Sequence, residues 1–248
     1  MDNSIKKEEK ANLKQGWIEK FKIIFLRLKN GEIETDKLQK IFGSKGKLEL
    51  STDIVRLNLK VFGLNINLTY NFQLGSLNLS FEDSIGRGED LDHLLFLYAK
   101  ILSQRVFGFI LSQEEKFINI SMLHGGFTAK AYEKKIVNFI VDELIDVDKK
   151  VVLEIGKIMD GLIVQHLTAD WAFELEIVNG VRVRLAYWRG ENGIPPNASI
   201  LYGAEILKTG LPVEDIITLT EIFVNRFIAC YRKITGKKPR KLESLYSG

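Results

Sequence analysis

Three successive runs with an apolar residue at every second position constrain this chain more than any other feature. DIVRLNLKVFG (53–63) alternates through Val55, Leu57, Leu59 and Val61. LNINLTYNF (64–72) alternates through Leu64, Ile66, Leu68, Tyr70 and Phe72, and SLNLSFED (76–83) through Leu77, Leu79 and Phe81. A period of two lines up one set of side chains on one face of a strand, so each run reads as a half-buried strand. The connections between them are short and polar or Gly-containing, which allows antiparallel pairing and leaves no room for a crossover. WAFELEIVNGVRVRLAYW (171–188) repeats the pattern on both sides of Asn179–Gly180, a dipeptide whose tolerance of positive φ suits a two-residue hairpin turn.

Around these runs the period lengthens to that of a helix. In WIEKFKIIFLRLKNG, Trp17, Phe21, Ile24, Phe25 and Leu28 share one face and Gly31 suits the end. Thr35 is the expected cap of a short second helix carrying Leu38, Ile41 and Phe42. EDLDHLLFLYAKIL starts after Asp90 and aligns Leu91, Leu94, Leu95, Tyr98, Ile101 and Leu102. GGFTAKAYEKKIVNFIVDELI places Tyr132, Ile136, Phe139, Ile140 and Leu144 along one side. The last helix, PVEDIITLTEIFVNRFIACYRKITG, has Pro212 in its first turn and Gly236 past its end. Its apolar face holds Ile216, Leu219, Phe223, Phe227 and Cys230, which makes that cysteine a core residue.

Strands, helices, a hairpin and a helix in that order are not a βαβ succession. The expected class is α+β: an antiparallel sheet built from the early meander and the later Asn-Gly hairpin, with helices packed on one face. Residues 1–46 read as a basic helical N-terminal extension and 47–248 as a single α+β domain. With 46% hydrophobic and 27% charged residues, the chain has the composition of an ordinary globular protein. MDNSIKKEEK carries no secretory h-region and no run approaches the ~20 apolar residues of a bilayer span, so a cytoplasmic location is expected.

The net charge of +3 is unevenly spread. Residues 1–47 hold 12 Lys/Arg against 7 Asp/Glu and residues 232–248 hold 6 against 1, leaving an acidic body between two basic ends. Residues 6–29 and 232–241 are therefore the segments able to contact a membrane surface, a nucleic acid or an acidic partner. A solvated face is the plainer reading of both.

Familiar chemistry is scarce. His93, His124 and His166 lack paired ligand spacing and there is one cysteine, so no metal and no cofactor is expected. No nucleophile elbow or phosphate-binding P-loop occurs. Gly86-x-Gly88 lacks a third glycine and is followed by Glu89 and Asp90, which reads as a turn. In LHGGFTAKAY, His124, Gly125 and Gly126 precede a helix without a competing carboxylate, where free N–H groups could hold an anion. In YWRGENGIPPNASILYGAEI, Trp188 stands beside Glu191 at a strand end, and apolar surroundings there would favour the protonated acid. Glu205 follows in the same stretch.

The ordered motifs FINISMLHGGFTAKAY and VRVRLAYWRGENGIPPNASILYGAEILKTGLPVEDI resemble a domain-of-unknown-function family of anaerobic bacteria and archaea, over about residues 50–232. The matching positions are Trp188, Gly190, Glu191, Pro196, Leu201, Tyr202, Glu214 and Asp215. The resemblance implies no established activity. Some members carry an N-terminal iron–sulfur module, which is absent here. Acidic residues of the family pattern are replaced by Asn192 and Gly203, which removes two carboxylates from any common site.

Three functional expectations follow. The first is a non-catalytic binding or accessory protein for a small ligand or protein partner, using His124, Gly125, Gly126, Trp188, Glu191 and Tyr202. The second is an enzyme with Glu191 as general acid or base, assisted by His124 or Glu205. The third is a peripheral membrane or nucleic-acid adaptor acting through the basic ends.

Overall fold

The computed structural model describes residues 3–107, 115–145, 147–166, 168–178, 181–191 and 193–247. The class is α+β, and the early meander and the later hairpin form two separate antiparallel sheets. Contacts divide the chain into two compact units. One comprises Met1–Lys60, Leu64–Asp83 and Gly88–Ile110; the other comprises Val61–Gly63, Ser84–Arg87 and Leu111–Gly248. The boundary expected between residues 46 and 47 falls inside the first.

The first unit contains α1 (Asn3–Lys29), α2 (Thr35–Phe42), β1 (Gly46–Leu50), β2 (Ile54–Val61), β3 (Leu64–Asn71), β4 (Ser76–Asp83) and α3 (Leu91–Phe107), with Val61 itself grouped with the second unit. Its sheet has the order β1-β2-β3-β4. The alternating residues of β2 and β3 are buried, as are Trp17, Phe21, Ile24, Phe25 and Leu28 of α1. The Trp17 indole N–H donates to Asp92 of α3 at 3.0 Å, tying the two helices. Each Leu or Phe withdrawn from water in this way is worth roughly 1.5–3 kcal/mol. Thr35 is the first helical residue of α2 and not its cap; the extended residue before it is Glu34, which makes no capping hydrogen bond. β1 escaped the sequence reading because five residues with one buried position, Leu48, show no period.

The second unit contains β5 (Phe117–Ile118), α4 (Lys130–Glu143), α5 (Lys149–Met159), β6 (Leu162–Val164), β7 (Trp171–Val178), β8 (Val181–Trp188), β9 (Asn197–Gly203) and α6 (Val213–Thr235). Its sheet has the order β5-β9-β8-β7-β6. One face holds Trp171, Phe173, Leu175, Ile177, Val183, Leu185 and Tyr187, all buried. That face packs on α6: Trp171 stacks on Tyr187 at 5.0 Å and on Phe227 at 6.0 Å, and Phe173 meets Phe227 edge-on at 5.1 Å. Arg226 is fully buried in α6 and donates to the carbonyls of Phe62 (2.7 Å) and Arg87 (3.1 Å), which holds residues 61–63 and 84–87 in this unit. Asn179–Gly180 lies outside the described residues; Val178 and Val181 pair on either side of it.

Several local expectations are corrected. The segment after Pro196 is β9, paired with β8 from Trp188–Asn197 to Val183–Tyr202, so the Gly- and Pro-rich stretch links two strands. Tyr132 points outward, 56% exposed, because the apolar stripe of α4 begins one turn later at Ile136. Pro212 precedes α6 as its N-cap. Cys230 is buried in the core as expected, and that burial pushes its thiol up to about 11.

Candidate functional site

The residues singled out in the sequence occupy opposite ends of the second unit. Trp188 ends β8, where its indole N–H donates to Thr168 at 3.2 Å and its ring meets His166 edge-on at 5.5 Å. Glu191 lies exposed in the following loop, its carbonyl accepting from Ile194 N–H at 2.9 Å. Glu205 adjoins Arg182, six residues before Trp188, a span of roughly 20 Å along the strand at ~3.3 Å per residue. Gly125 lies against Val213 at the start of α6, whereas the Trp188 end is marked by Trp171 on Phe227, 14 residues on and roughly 21 Å further at ~1.5 Å per residue. The structure therefore brings Trp188 to His166 and leaves Glu191 distant from both Glu205 and His124.

Residues 124–129 are consecutive turns, and α4 starts at Lys130. The N–H groups of Gly126, Thr128, Ala129 and Lys130 donate to the carbonyls of Leu123, Gly125, Gly126 and Phe127. Those donors are engaged within the turn. Gly126 is required by packing, since an added Cβ would coincide with the Ile120 carbonyl. Tyr202 is buried on β9 with its hydroxyl 2.8 Å from Thr220, and burial raises that phenol well above its ordinary range. Glu214 and Asp215 stand in the first turn of α6, where carboxylates are favourable.

Glu205 is 0% exposed and grips Arg182 with both oxygens, at 2.9 and 3.2 Å. Arg182 also lies 3.6 Å from Glu174, which accepts from Arg184 at 2.6 and 3.0 Å. The Arg184 guanidinium stacks 3.7 Å from the centre of the Phe117 ring. The pairing with Glu205 raises the Arg182 pKa, so this ladder on the outward sheet face is a set of matched ions. It also explains Gly203: a Cβ there would run into the Glu205 carboxylate.

A different arrangement of charge occurs where α6 ends. Gly236 adopts φ +67°, the left-handed conformation that closes a helix, and the chain turns back across the end of α4. Glu143, 2% exposed at the last position of α4, organises this return. One of its oxygens accepts from Arg232 at 2.8–3.1 Å and the other from the Arg240 and Lys241 backbone N–H groups at 3.0 and 3.4 Å. Arg232 in turn donates to the carbonyls of Leu242 (2.7 Å) and Glu243 (2.6 Å). Further along, Leu245 is buried, its N–H donating to Asn225 at 2.8 Å and its carbonyl accepting from Lys135 at 3.2 Å.

The returning tail encloses a concavity of about 340 Å³ lined by Glu143, Ile145, Tyr231, Lys237, Lys238 and Arg240. Lys237 donates to the Tyr231 hydroxyl at 2.6 Å. Three cations therefore face this space, and its one carboxylate among the described residues already holds Arg232. On the other side of the tail a second concavity of about 500 Å³ runs along α4, edged by Lys134, Lys135 and Lys241; Asp142 there pairs with Lys241 at 2.8 Å. The sequence flagged residues 232–241 by charge alone. Glu143 and Tyr231 were missed because nothing local marks them.

No group of three or more His, Cys, Asp or Glu side chains gathers among the described residues, and no described helix is long and apolar enough to cross a membrane. Residues 108–226 match the model of a family described as Domain of unknown function (DUF3786), a narrower span than the resemblance read from the motifs. No curated protein and no solved structure matches the chain.

Proposed function

We propose, for a chain that carries the DUF3786 domain across residues 108–226, that it is a non-catalytic binding or accessory protein taking a small anionic ligand in the concavity between α6 and its returning tail. One observation carries this reading: Lys237, Lys238 and Arg240 face a space whose only carboxylate among the described residues, Glu143, is engaged by Arg232 and two backbone N–H groups. An anion entering such a space meets positive potential and displaces no carboxylate from Lys237, Lys238 or Arg240 among the described residues, whose bonds here are those of Lys237 to the Tyr231 hydroxyl and of the Arg240 guanidinium to the Asp142 carbonyl. The Tyr231 ring and Ile145 form its apolar wall. The fitting ligand is thus a small molecule with a phosphate or carboxylate at one end and a flat or apolar body at the other.

Titration calorimetry with pyrophosphate tests the anionic half of the ligand. Binding should be measurable at low ionic strength and weaken steadily as salt is added. The double substitution Lys238→Gln and Arg240→Gln should weaken it by on the order of 10–100-fold while leaving thermal unfolding unchanged, since both side chains lie at the exposed rim. Pyrophosphate affinity that is absent, or equal in the two proteins, would refute the proposal.

A further inference from the structure

Each sheet edge leaves a row of backbone N–H and C=O groups able to pair with another strand, and proteins close such edges by recognisable devices. Three of the four edges here are closed. β5 and β6 are two and three residues long, too short to template a partner. β1 is five residues long, carries the Lys47–Glu49 ion pair at 2.8 Å, and is capped by a side chain. Gln39 donates to the Gly46 carbonyl at 2.7 Å and accepts from the Leu48 N–H at 2.8 Å, filling the edge as a neighbouring strand would.

β4 has none of these devices. It is eight residues long, SLNLSFED, without lysine, arginine or proline, and among the described residues it pairs only with β3. Among the described residues no hydrogen bond closes its outer edge from Ser76 to Glu82. Its core-facing residues are incompletely covered: Leu77 and Leu79 are half-buried and Phe81 is 43% exposed, while their β3 partners Tyr70, Leu68 and Ile66 are buried.

We propose that the β4 edge pairs antiparallel with β4 of a second copy, about a two-fold axis through Leu79, joining the two four-stranded sheets into one of eight strands. The sequence of β4 is complementary to itself in this register. Leu77 falls opposite Phe81, Leu79 opposite Leu79, Asn78 opposite Ser80, and Ser76 opposite Glu82. All three apolar residues keep to one face and continue the apolar surface across the axis. The acidic end meets a serine, so no like charges confront each other. A shift by one residue would place the apolar face of one copy against the polar face of the other, and a shift by two would break the apolar overlap.

The test is the mass of the full chain in solution by light scattering, combined with cysteine cross-linking. Cys230 is buried, so an introduced thiol is the accessible one. The expected mass is twice 28.3 kDa. Leu79→Cys should form a disulfide-linked dimer on mild oxidation, because a residue on the axis faces itself at a Cα separation of ~4.5–5.5 Å. Ser76→Cys should not, since it faces Glu82. Leu79→Lys, with unchanged circular dichroism, should raise the dimer dissociation constant by on the order of 100-fold through the opposed lysines. A chain that stays monomeric at micromolar concentrations overturns the proposal, as does a dimer in which Ser76→Cys cross-links as readily as Leu79→Cys.

Discussion

The outward face of the second sheet and the returning tail are built from the same residue types and use them oppositely. On the sheet, Arg182 and Arg184 meet Glu174 and Glu205 at 2.6–3.6 Å, and every one of these side chains has an opposite charge beside it. At the tail, Glu143 is matched by Arg232 and Asp142 by Lys241, and Lys237, Lys238 and Arg240 remain as cations around a hollow. Matched ions fix geometry, whereas an excess of one sign with room beside it draws in a counter-ion. The difference separates the part of the charge that holds the fold from the part available to a ligand.

That distinction is open to attack at three positions. Glu205→Ala leaves Arg182 largely buried without the carboxylate it grips through two hydrogen bonds, and should cost about 3 kcal/mol or more in urea unfolding. A cost below about 1 kcal/mol, the range of exposed pairs, would show that the ladder is no more structural than the tail. Glu143→Gln removes the negative charge at the centre of the return and should cost about 2 kcal/mol. It should also speed tryptic cleavage after Lys237, Arg240 and Lys241; unchanged cleavage would mean that the tail is held elsewhere.

The smallest effect concerns Glu221 of α6, whose pKa is raised by burial, with Lys135 pulling the other way. A carboxyl whose folded pKa lies above its unfolded value favours folding most when protonated. Its contribution is therefore complete below the unfolded value and lost as pH rises through the folded one. Glu221→Gln keeps the neutral form at every pH. It should raise the melting temperature by about 1–2 °C at neutral pH and converge with the parent below pH about 4. An advantage that persists in acid would assign the effect to packing instead.

What the sequence disclosed follows from how local each feature is. The period-two runs of β2, β3, β4, β7 and β8 and the buried stripes of α1 and α6 repeat within one element, so they could be read directly. α5 carried an equally local signal that went unread: Asp148 caps it by accepting from the Lys150 N–H at 2.8 Å, and Val152, Ile155 and Met159 share its buried side. β9 alternates through Ala198, Ile200 and Tyr202, but the prolines before it suggested a connection. The division into two sheets was beyond reach, because alternation identifies a strand and not its neighbour. The same holds for Glu143, whose role depends on Arg232, 89 residues away. Whether Trp188 meets His124 depended on which end of the sheet each occupies, and no local pattern encodes that.

The contact between Gly203 and Glu205 has a consequence for how this chain can change over generations. Any side chain at 203 collides with the carboxylate at 205, and any shortening at 205 deprives Arg182 of the carboxylate it grips with two hydrogen bonds. Neither site can drift by itself. A lineage must lose the glutamate first, crossing a state of lowered stability, before the glycine is released to vary. The two positions are thus bound to a common history.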